Sequence, residues 1–141
     1  MITEANLFRV LPETLPGVWQ GVFELISPVL EMDGERWDEE TLYASIVQGL
    51  AQLWVVIDNG YAKMAFVTEF TTYPLKTVCN LWILAGHDLK EVMTLTPTIG
   101  QWAVENGADS LQAVCRPGIA KMFKAKGFET IREVIEKKLK H

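Results

Sequence analysis

At 141 residues and 15.9 kDa, 49% hydrophobic and 22% charged, the chain is long enough to bury one core without disulfide or metal support. It contains no apolar run of the length a membrane span needs. A net charge of −5 disfavours a phosphate backbone as partner, since that contact needs a basic surface.

Charge is divided unevenly, with 11 acidic and 3 basic residues through Phe70 and 7 acidic and 10 basic from Thr71 onward. Any anion-binding surface is therefore expected in the C-terminal half. The first residues lack a basic segment followed by an apolar one, so the chain is expected to stay in the cytoplasm. Cys79 and Cys115 read as free thiols there, and no metal site is expected.

Between 14 and 30, Val18, Trp19, Val22, Phe23, Ile26, Val29 and Leu30 recur at three- and four-residue steps, which predicts an amphipathic helix. An acidic loop follows. Asp38 is placed to cap a second helix, with Glu39 and Glu40 in its first turn and Leu42, Ile46 and Leu50 on its buried stripe. The period then changes to that of strands. Residues 53–57 are β-branched and aromatic, Asp58-Asn59-Gly60 suits a tight turn, and 61–73 completes a hairpin.

After Pro74, residues 77–85 give a third strand, apolar enough to be covered on both faces. Asp88 and Glu91 have the spacing of a capping box at the start of a helix that Pro97 kinks or divides and Asn106-Gly107 ends. Residues 110–115 read as a short strand and Pro117-Gly118 opens a helix to Lys126. Gly127 caps it, and 128–139 reads as a closing strand. The expected architecture is one α/β domain over residues 1–141, a three-layer mixed sheet in the order ααβββαβαβ.

Residues 102–129 carry a resemblance. A helix ending in Ala103-Val104-Glu105-Asn106-Gly107-Ala108, a short strand, a helix from Ala120 to Gly127-Phe128 and a closing strand resemble the C-terminal unit of the GNAT N-acetyltransferase superfamily. The two helices before the hairpin fit its order. Cys115-Arg116-Pro117-Gly118-Ile119, Gly127-Phe128 and Lys138-Leu139-Lys140 are similar to such proteins encoded by tailed bacteriophages.

The resemblance implies acetyl-CoA held where two parallel strands splay apart, with Leu84, Ala85, Arg116 and Lys121 at the cofactor. An unidentified amine would attack it directly. Glu69 is the candidate base on the second hairpin strand, and His87 a second candidate beyond the third strand; each also reads as an ordinary solvated residue. Arg116, Lys121 and Lys124 suit a CoA phosphate or a solvated face.

Four residues at three places depart from the family pattern. Phe123 stands where many members have a proton-donating tyrosine, Arg116 where they have an asparagine, and Asp88 and Glu91 put carboxylates at a helix start that would cradle pyrophosphate. The alternative reading is thus a non-catalytic structural or interaction protein with a closed cofactor cleft, for which Trp37 in the acidic loop is the residue to meet a partner.

Overall fold

Residues 3, 6–32, 36–86 and 89–140 are described by a computed structural model. The three- and four-residue spacing of the N-terminal third produces two helices. α1 (Leu15–Met32) turns Leu15, Val22, Ile26 and Leu30 inward, and α2 (Glu39–Val47) buries Leu42 and Ile46. Asp38 caps α2: its Oδ1 accepts from the Thr41 amide at 2.8 Å while Thr41 Oγ1 accepts from the Asp38 amide at 3.2 Å. That amide bond holds the Asp38 carboxyl below its ordinary pKa. Leu50, expected on the buried stripe, is 65% exposed, because α2 ends at Val47 and the chain turns through Gly49 before the next strand.

Five strands follow one another across a single sheet: β1 (Leu7–Val10), β2 (Gln52–Asp58), β3 (Tyr61–Thr72), β4 (Thr77–Gly86) and β5 (Ser110–Ala113). The first three pairings are antiparallel and the β4–β5 pairing is parallel. Asn59 and Gly60, at φ +53 and +80, close the β2–β3 turn. β1 was not expected. It is four residues long at the sheet edge, pairs with β2 alone, and leaves Phe8 49% exposed, so its sequence carries no buried alternation.

The strands' alternate side chains fill two layers. Leu53, Val55, Ala65, Val67, Ile83 and Ala85 pack beneath α1 and α2. Trp54, Val56, Met64, Phe66 and Leu81 pack against the helices that come after β4. Full burial of a side chain such as Phe66, Met64 or Ile83 contributes about 1.5–3 kcal/mol. Pro97 divides the central helix as expected. A short turn α3 (Leu89–Val92) and a 3-10 turn (Met93–Leu95) precede α4 (Thr96–Glu105), with the proline in its first turn. The anticipated cap at Asp88 lies outside the described residues.

α5 (Pro117–Lys124) completes the second layer, and Gly127 leaves it at φ +93. The closing strand expected over 128–139 does not form; residues 128–140 are neither strand nor helix. Ile131, Val134, Ile135 and Leu139 are all at least 64% exposed. Their spacing of three, one and four cannot supply the period-two face a strand buries. The observed order is therefore βααβββααβα.

Candidate functional site: a cleft between two diverging strands

β4 and β5 stay paired only from Val78–Ser110 to Leu81–Ala113. Beyond that point β4 continues to Gly86, while the other chain turns away through Val114 and Cys115 to Arg116, whose extended backbone precedes Pro117. Leu84, Val114, Cys115, Arg116, Ile119 and Phe123 line a cavity of about 230 Å³ left by this separation. Val29, Leu30, Met32, Trp82 and Ile83 line it from the α1 side, so it passes through the gap in the sheet. The cleft is open, unlike the closed one of the non-catalytic reading.

A β-bulge lies at the mouth of the gap. Val67 pairs with Ile83 but Thr68 pairs with Leu81, so Trp82 is an extra residue with no partner on β3. Alternation breaks there: Leu81 faces the α4 layer, and Trp82 and Ile83 both face the α1 layer. On the β5 side, the main-chain groups of β4 beyond Leu81 have no strand partner among the described residues. Such an edge can receive an extended, amide-bearing ligand.

Trp82 also carries a buried indole N–H with no hydrogen-bond partner among the described residues. The Trp37 ring lies 5.1 Å away, centroid to centroid. An unsatisfied buried donor costs about 1–3 kcal/mol, which marks this wall as unusual. Trp37, expected as an exposed partner contact, is instead half-buried against Trp82.

The cleft brings together two of the sequence candidates, Leu84 and Arg116. Ala85 is buried in the layer beneath α1 and does not line it, and Lys121 stands exposed on α5 away from the lining. Glu69 pairs with Asn80, one residue before the last β4–β5 pair, on the same sheet face as Trp82 and Ile83. It does not line the cavity. Burial raises its carboxyl pKa, which makes it a better proton acceptor near neutral pH. His87 lies outside the described residues.

Phe123 is 3% exposed, packs against Phe128 at 4.9 Å and contributes an apolar ring to the wall. Burial pushes both thiols up, Cys79 to about 11, so each is neutral at pH 7. Sequence reasoning missed Val29, Met32, Trp82 and Ile119 as cleft residues. Their apolar character signals core packing, and a bulge has no residue signature at Trp82.

No protein-family model matches the sequence, and no curated protein matches it. Solved structures do. A protein from Bacillus halodurans superposes with a TM-score of 0.72 at 10% identity, covering 94% of this chain and 99% of that one. A predicted acetyltransferase from Clostridium acetobutylicum, solved with acetyl-CoA, gives 0.69 at 11% identity over 95% and 96%. An aminoglycoside acetyltransferase from an uncultured soil metagenomic sample, in complex with sisomicin, gives 0.68 at 16% identity over 96% and 94%. The chain has the fold of the GNAT acetyltransferases.

Proposed function

We propose that this protein is an acyl-CoA-dependent N-acyltransferase that receives the thioester arm of its cofactor between β4 and β5. The observation that carries the reading is the open, apolar gap at the point where those strands part. Its residues fit the group. The arm is an extended chain with two amides, suited to the unpaired β4 edge, and Leu84, Ile119 and Phe123 suit its methylenes. Arg116 at the rim, with Lys121 and Lys124 on the adjoining helix, suits the phosphates.

Bound there, acyl-CoA supplies an activated acyl group. An attacking amine must lose a proton, and Glu69, with its raised pKa, is the carboxylate assigned to take it, directly or through water. His87 is the second candidate for that role. The neighbour solved with acetyl-CoA and the neighbour holding an aminoglycoside support a thioester donor and an amine acceptor for this fold.

Acetyl-CoA at a hundred times its dissociation constant should stabilise the protein by about 2.7 kcal/mol, read as a thermal shift. Arg116→Ala and Lys121→Ala should each reduce the shift. No shift at millimolar cofactor removes the reading. Turnover is then measured as thiol release with a panel of amines, where Glu69→Gln should lower the rate about a hundredfold and leave the cofactor shift in place.

Phe123 favours a second reading, a cofactor-binding protein that does not turn over. Its ring has no proton for a departing thiolate. A thermal shift without thiol release across the amine panel selects this reading, and the similarity of residues 115–119 to phage-encoded proteins is compatible with it.

A further inference from the structure

The cavity is longer than the strand gap. From the gap it continues to the α1 side of the sheet, where Val29, Leu30, Met32, Trp82 and Ile83 form the wall. The bulge creates that wall, because it turns two consecutive large side chains, Trp82 and Ile83, to the same face. Four of those five side chains have no polar group, and the fifth, Trp82, has only its buried indole N–H. Arg116, the one charged residue among the described lining residues, belongs to the α5 side.

An acetyl group has a single methyl to place in such a space. The whole cavity, including the part beside Leu84, Ile119 and Phe123 that takes the thioester arm, is about 230 Å³, and a dry cavity of about 150 Å³ accepts a benzene-sized molecule. Resting on the cleft reading above, we propose that the acyl group accepted here is a hydrophobic chain longer than acetyl, seated between α1 and the Trp82–Ile83 bulge.

The physical consequence is a chain-length ladder. Each methylene moved from water into an apolar wall raises affinity about fourfold until the wall ends. A charged acyl group would be rejected, since among the described lining residues on the α1 side no side chain carries a charge and the single polar group is the Trp82 indole N–H.

The test is a binding titration of CoA, acetyl-, butyryl-, hexanoyl-, octanoyl- and dodecanoyl-CoA, read by calorimetry and by thermal shift. The expected result is affinity that climbs about fourfold per methylene from acetyl and levels off before dodecanoyl. Val29→Trp should move the plateau to shorter chains. Met32→Trp, at a position already 59% exposed and therefore tolerant in folding, should do the same. Affinity that is flat or falling beyond acetyl overturns the proposal and leaves the cleft reading standing. A rise that continues through dodecanoyl and ignores both variants also overturns it, because it reports adhesion outside this pocket. Absence of binding by CoA and every thioester overturns the cleft reading as well.

Discussion

A methyl group added to Gly86 would meet the Lys63 carbonyl oxygen at 2.5 Å and the Met64 Cα at 2.8 Å, with φ already at +139. Neither neighbour is a flexible side-chain tip, so the backbone of β3 or β4 must shift at the end that shapes the cleft. Gly86→Ala should cost about 1–3 kcal/mol from backbone strain alone, with the collision added, measured as a lower urea midpoint. An unchanged midpoint would show that β4 can end differently.

Cys79 offers a pH test with a definite sign. Its folded pKa of about 11 lies above the ordinary thiol value of 9.0, because burial disfavours the thiolate. Its contribution to stability is thus full below pH 9.0 and lost as pH rises through about 11. Cys79→Ala should flatten the fall in stability across that window relative to the unaltered chain, and parallel curves would refute the assignment. These residue-scale features differ in how far the sequence announces them. Asn59-Gly60 declares its turn, whereas the collision at Gly86 depends on β3 arriving beside it, which no local pattern encodes.

Elements were most legible where one period holds over many residues. Both N-terminal helices, the β2–β3 hairpin, the division at Pro97 and the short β5–α5 unit all arise from spacing and from the positions of Pro, Gly and Asp. The misses fall on segments with no buried face. β1 is held by pairing to β2 rather than by its own pattern, and the tail after Phe128 has β-branched residues without a partner strand.

Phe128 divides the tail energetically. Its ring packs on Phe123, while every described residue after it is exposed. The tail's ion pair, Glu136 with Arg36, is also exposed and worth at most about 1 kcal/mol. Truncation after Phe128 should therefore change stability by no more than about 1 kcal/mol. Phe128→Ala should cost more than the entire truncation, and the reverse ranking in chemical denaturation would mean the tail is docked.

At the scale of the whole molecule, the uneven division of charge was legible in the sequence and the cleft was not. The count of −8 for residues 1–70 (3 basic less 11 acidic) against +3 for 71–141 (10 less 7) places most of the cations on α5 and the tail beyond it. The opening itself arises from geometry: two parallel strands share four residue pairs, then Pro117 turns one chain into a helix while β4 runs on to Gly86. A net charge of −5 should repel a cofactor bearing several phosphates unless the local cations of Arg116, Lys121 and Lys124 offset the field. Those side chains are exposed, so their attraction is screened over about 10 Å at 0.1 M salt and about 3 Å at 1 M.

Acetyl-CoA affinity should consequently fall as salt is raised. S-acetylpantetheine, which keeps the thioester arm and lacks the nucleotide phosphates, should bind with little salt dependence and should not respond to Lys121→Ala. Equal salt slopes for the two ligands would separate the phosphates from α5 and leave the apolar gap as the whole of the recognition.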